Sequence, residues 1–248
     1  MDFEEARERG LQALGQGAGI GTLRERSLHA VLKWLLMPDE RCHEVSLNGY
    51  VADCFDGEQI IEVQTVGLHP LQKKLAALLP LYPVTVVVPI IREKRLIWTQ
   101  PDSGETTTPR RSPKRGRFLD ALPELFWLLE LIPNERLTVR LWEVDVEEYR
   151  LLDGWGNGGK RGSHRAERLP TAVGDSLWLR TPADYAALLP PLPVPFTAAD
   201  FAKATHLSGR RLWQAMKLLE ELAIIRRVGK KGNAYLYARV VSEDEAKT

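Results

Sequence analysis

Leucines recur at spacings of three and four from Leu28 through Leu32, Leu35 and Leu36, after Gly21-Thr22 and before Pro38. That spacing lines apolar side chains along one helical face, so a helix is predicted there, stopped by the proline. The period then changes to two. Three β-rich runs, His43–Leu47, Tyr50–Phe55 and residues 58–65, are separated by Asn48-Gly49 and Asp56-Gly57. Both dipeptides tolerate the positive φ of tight hairpin turns, which predicts a three-stranded meander. Leu68, Leu71, Leu75 and Leu78 return to helical spacing, and residues 84–91 form an almost unbroken β-branched run typical of a strand covered on both faces. Helix, three strands, helix and strand together predict an α/β fold: a mixed sheet flanked by helices.

Farther along, residues 100–116 read as a long exposed loop, 118–131 as a helix, 137–144 as a strand and 154–162 as a glycine-rich basic loop. Pro190, Pro191, Pro193 and Pro195 make a stiff linker. After it, Thr197 and Asp200 have capping-box spacing before a short helix, and Ser208 stands where it can cap a second helix over 209–222. Strand-like runs at 224–228 and 234–241 flank a turn at 229–233. The expected organisation is therefore three parts: an α/β core over 1–99, a middle region over 100–189 with basic loops, and a small module over 190–248.

Composition adds what the pattern omits. The chain has 248 residues, a formal charge of +1, 44% hydrophobic and 27% charged residues, which is globular composition. No apolar run reaches the roughly 18 residues of a membrane span, and the acidic start MDFEEARERG is unlike a signal peptide. A cytoplasmic protein without a membrane segment is expected. Cys42 and Cys54 are too few for a disulfide framework and lack zinc-site spacing. The charge is unevenly spread: residues 92–117 carry eight basic side chains against three acids, and 203–239 carry nine against two. Those two stretches are the expected basic faces.

The candidate chemistry sits on the meander. Alternation places Val51, Asp53 and Phe55 on one face of the second strand, and Ile60, Glu62 and Gln64 on one face of the third. A two-residue turn at Asp56-Gly57 would pair Asp53 with Ile60 and make Asp53 and Glu62 diagonal neighbours on an inward face. Two poorly solvated carboxylates repel, and a hard divalent cation, Mg²⁺ or Mn²⁺, relieves that repulsion with oxygen ligands. Gln64 can then position a water, and Glu25, on the helical stripe with His29 and Leu32, can face the same end of the sheet. The bland alternative places each carboxylate on a solvated face.

Residues Gly21-Thr22-Leu23-Arg24-Glu25-Arg26, Asp53 and Glu62-Val63-Gln64, with the helix that follows, resemble the PD-(D/E)XK nuclease superfamily. The likeness is greatest to Holliday-junction resolvases and to the end-cutting endonuclease subunits of heteromeric transposases, and spans roughly residues 21–90. It implies a restriction-endonuclease-like sheet, with Glu25 as the helix carboxylate and Asp53 and Glu62 as metal ligands. Gln64 departs from the pattern, standing where the superfamily usually has lysine. Either the metal alone acidifies the attacking water, or Lys73 or Lys74 supplies the missing cation.

The module over 196–240 resembles a winged helix-turn-helix. In its second helix Leu212, Met216 and Leu219 form one stripe, and Arg210, Gln214 and Lys217 another, with Arg211 beside them. Arg, Gln and Lys are side chains that read base edges or hold phosphates, and Lys230-Lys231 would lie at the wing tip. The sequence thus points to a divalent-metal-dependent DNA endonuclease positioned by a winged helix, with a second copy or a protein partner where both strands are cut. The other reading is a DNA-binding regulator or assembly factor on an inactive nuclease scaffold.

Overall fold

The computed structural model describes residues 1–15, 26–153 and 162–240. In chain order its elements are α1 (Phe3–Ala13), α2 (Arg26–Leu36), β1 (His43–Leu47), β2 (Tyr50–Phe55), β3 (Ile60–Val63), α3 (Gln72–Leu78), β4 (Val84–Thr99), β5 (Arg110–Arg111), α4 (Leu122–Leu125), β6 (Leu137–Leu151), β7 (His164–Leu179), β8 (Phe196–Thr197), α5 (Ala198–Thr205), α6 (Gly209–Glu221), β9 (Ile225–Lys231) and β10 (Ala234–Arg239). They form two compact units interleaved along the chain. The first holds residues 1–66, 82–117 and 140–177, and the second holds 67–81, 118–139 and 178–248. The three-part division does not match this partition, because β6 and β7 of the middle region join the N-terminal sheet.

In the first unit a seven-stranded mixed sheet runs β1-β2-β3-β4-β6-β7, with β5 attached to β4. The β1–β2 and β2–β3 pairs are antiparallel and β3–β4 is parallel. Asn48 and Gly49 both have positive φ and join the directly paired Leu47 and Tyr50, the two-residue turn the sequence predicts. The turn after β2 is different. Asp56 accepts hydrogen bonds from the backbone N–H groups of Glu58 and Gln59 (both 2.9 Å), closing a four-residue loop, and Phe55 pairs with Ile60 rather than Glu58.

Helix α2 covers one face of this sheet. Leu28 and Leu32 pack with Cys54, Ile61, Val63, Val87, Trp142, Val144 and Val146 in a single buried cluster. Helix α1, capped by Asp2 through the Glu5 N–H, lies on α2. They touch at Gly10, where a Cβ would stand 2.8 Å from Val31 N.

The second unit contains α3, α4 and the terminal module. The predicted helix at 118–131 is a broken run, a 3₁₀ turn followed by the four residues of α4 and another 3₁₀ turn. Thr197 and Asp200 make both hydrogen bonds of a capping box at the start of α5. Ser208 occupies the N-cap of α6 without making a side-chain cap bond. A three-stranded sheet, β8-β10-β9, completes the module. Among the described residues no helix is long and apolar enough to cross a membrane.

Candidate functional site

The four-residue loop after β2 sets the register of the carboxylates. With Phe55 on Ile60 and Cys54 on Ile61, the next residues to meet are Asp53 and Glu62, opposite each other rather than diagonal. The ladder opens at this point and side chains replace backbone partners. Asp53 N–H points to Glu62 Oε1 at 3.4 Å, and Val63 N–H donates to Asp53 Oδ2 at 2.7 Å. Glu62 is only 3% exposed. On β2 Val51 is exposed and Asp53 partly exposed, whereas on β3 Ile60 and Glu62 are buried, so this face is open at β2 and closed at β3.

A third acid joins from β1. The pairs His43–Cys54 and Val45–Ala52 bracket Glu44 and Asp53, so the two lie opposite each other on adjacent strands. Glu44 has a φ of 53°, and no regular pair forms there. Glu44, Asp53 and Glu62 therefore form a row across β1, β2 and β3.

Partners for two of these acids come from α2, one helical turn apart. His29 Nε2 lies 3.1 Å from Asp53 Oδ2, an ion pair when the imidazole is protonated. Lys33, 6% exposed, donates to Glu44 Oε1 at 2.9 Å. The Lys33 ammonium, helped by His29, holds the Glu44 carboxyl below its usual range, against opposing contributions from burial and Asp53. Beside the row, burial pushes the Cys54 thiol up to about 12, and Asp53 and Glu62 add to the rise, so Cys54 is a core group and not a nucleophile. A cavity of about 750 Å³ opens at the Glu44 end of the row, lined in part by His29, Lys33, Trp34, His43 and Glu44.

Gln64 follows β3, partly buried, with its N–H donated to Val87 O at 2.8 Å. Glu25 and most of the glycine-rich loop lie outside the described residues. Lys73 and Lys74 are on α3 of the second unit, Lys73 exposed and Lys74 partly buried. Sequence reasoning placed His29 on the right stripe but missed Lys33 and Glu44. The signal for Glu44 was present, since counting back from the Asn48-Gly49 turn sets it against Asp53.

Among the described residues no three or more His, Cys, Asp or Glu side chains converge as a metal set. Two carboxylates nonetheless match what Mg²⁺ takes from a protein, because it keeps most of its waters. Asp53 and Glu62 would hold it.

In the second unit the expected base-reading stripe is corrected at Gln214, which is 5% exposed, inside the molecule. Lys217 is paired with Glu221, and the Arg210 guanidinium lies 5.4 Å from the Trp127 ring centre. Arg211, Lys230 and Lys231 are exposed.

The fold and these residues define a mixed α/β protein with a carboxylate row on its sheet and a separate basic module. Residues 26–180 match a family described as a domain of unknown function, DUF8091, and the chain belongs to that family. The match covers α2 through β7 and leaves out the terminal module. An uncharacterized protein of Treponema pallidum (strain Nichols) is 31% identical over 223 residues, 89% of this chain and 87% of that protein. No solved structure matches.

Proposed function

We propose that the protein is a divalent-metal-dependent DNA endonuclease, with a restriction-endonuclease-like sheet as its catalytic part and a winged-helix-type module that holds DNA. The observation that carries this reading is the meeting of Asp53 and Glu62 at the point where the β2–β3 ladder opens. Carboxylates there cost desolvation and repulsion, and a bound Mg²⁺ or Mn²⁺ would repay both.

When bound, such an ion supplies an acidified water and charge neutralisation at the phosphate. The side chains divide the remaining work. Val63 N–H and His29 fix the Asp53 carboxylate in place. Gln64 orients the attacking water through its amide. Gln64 brings no charge, so the cation beside the row is Lys33 of α2 on Glu44, with the His29 imidazole beside Asp53. Arg211, Lys230 and Lys231 hold phosphates.

A second reading is supported by Asp53 itself, whose Oδ2 is already engaged by Val63 N–H and His29. On that reading the protein binds DNA without cutting it. Calorimetric titration with Mn²⁺ separates the two. Saturable binding in the wild type that is lost in Asp53→Asn and Glu62→Gln supports the endonuclease, whereas identical heats in all three proteins leave the DNA-binding reading.

A further inference from the structure

Helix α6 is poorly placed to enter a major groove. Helix α4 and the 3₁₀ turn Phe126–Leu128 pack against it, as do α5 and β9. Gln214 is buried, Lys217 is held by Glu221, and Arg210 lies over Trp127. A helix that reads a duplex needs its polar stripe clear of its own protein, because the groove is only about 12 Å wide.

The helix exposes an indole instead. Trp213 is 55% exposed and meets Phe126 edge-on, with ring centres 5.2 Å apart. Phe126 meets Trp127 at 5.8 Å, and Trp127 meets His69 at 4.3 Å, giving a run of four rings. The β9–β10 hairpin of the same unit repeats the combination. Every residue of β9 after Ile225 is exposed. There Tyr235 lies beside Arg227 and Lys230, at 4.5 and 4.7 Å from its ring centre.

Charge identifies the ligand class. Residues 209–240 carry eight cationic side chains and two acids, and both acids are already paired, Glu220 with Arg227 and Glu221 with Lys217. An apolar protein partner has no use for that excess, whereas a polyanion with flat faces uses both the cations and the rings. In a duplex the base faces are stacked on each other, and only an unpaired strand offers them.

We propose that this module binds single-stranded DNA, stacking unpaired bases on Trp213 and Tyr235 while Arg211, Lys230 and Lys231 take the phosphates. The inference rests on the DNA reading above and specifies the form of DNA: a strand exposed at an end, a flap or a junction.

The test uses the full chain in EDTA at low salt. Fluorescence anisotropy compares labelled oligothymidine of about twenty nucleotides with a mixed-sequence duplex of the same length, long enough to span a stacking groove. The single strand is expected to bind more tightly than the duplex and to quench tryptophan emission. Trp213→Ala should weaken single-strand binding about tenfold and leave duplex binding within about twofold, with Trp213→Phe restoring most of the loss. The double variant Lys230→Ala/Lys231→Ala should weaken both DNA forms.

Stacking is overturned if Trp213→Ala binds the single strand like wild type while the lysine variant still weakens both forms, which leaves the DNA reading intact. Wild type that binds neither DNA form removes the DNA reading itself. Loss of self-association in Trp213→Ala by sedimentation, with DNA binding unchanged, would assign the indole to a second copy of the chain and overturn the proposal.

Discussion

Glu44 and Asp53 lie opposite each other on β1 and β2, between the paired residues His43–Cys54 and Val45–Ala52. Glu62 follows opposite Asp53 on β3, and α2 sets the His29 imidazole beside Asp53 and the Lys33 ammonium on Glu44. Repulsion along such a row is relieved by donors and cations, and Val63 N–H and His29 reach Asp53 while the Lys33 ammonium reaches Glu44.

The Lys33–Glu44 pair is asymmetric, since the lysine is buried and the glutamate side chain is 72% exposed. Lys33→Met leaves Glu44 to water and should cost less than about 1 kcal/mol. Glu44→Ala leaves a buried ammonium without its partner and should cost about 1–3 kcal/mol. Urea unfolding of the two variants checks the order.

Gly10 is a mid-helix residue whose replacement by alanine would ordinarily stabilise α1 by up to about 1 kcal/mol. Here the new Cβ would stand 2.8 Å from Val31 N and 2.9 Å from Val31 Cα, backbone atoms that cannot swing away. Gly10→Ala should therefore destabilise the protein by about 1–3 kcal/mol, measured by thermal unfolding. A higher melting temperature would contradict the close α1–α2 contact.

Glu148 is buried and receives Lys94 at 3.2 Å, Arg150 at 2.9 Å and Arg168 at 3.3 Å. Burial alone would raise its carboxyl, but the surrounding cations outweigh that and hold it below the usual range. A depressed folded-state pKa means that the unfolded chain binds the proton more readily. The stabilisation is thus present above about pH 4.3 and is lost as pH falls through the folded-state value. Glu148→Gln should cost about 3 kcal/mol or more at pH 7 and flatten the acid limb of the stability curve, read from urea midpoints between pH 7 and pH 3.

Much of the first unit was legible because its signals are local. The α2 stripe, the Asn48-Gly49 turn and the meander all depend on neighbours in sequence, and Glu44 opposite Asp53 follows from the turn by counting. The Asp56 loop was not, because a side chain bonding to two backbone N–H groups sets its length and moves the register of Asp53 from Ile60 to Glu62. The long edge strand β7 was missed as well, since Pro170, Gly174 and scattered charges break the alternation that marks a strand. Gln214 was misplaced because what covers α6 is α4, about ninety residues earlier, and helical spacing alone carries no record of that contact.

The central claim, that Asp53 and Glu62 form a metal-dependent site acting on DNA, is tested most directly by nicking of supercoiled plasmid at low salt with Mg²⁺ or Mn²⁺. Wild type should convert the plasmid to open circles, EDTA should stop the conversion, and Glu62→Gln should reduce it by at least about 100-fold while its melting curve stays cooperative. Intact plasmid with wild type, or equal nicking by wild type and Glu62→Gln, would contradict it.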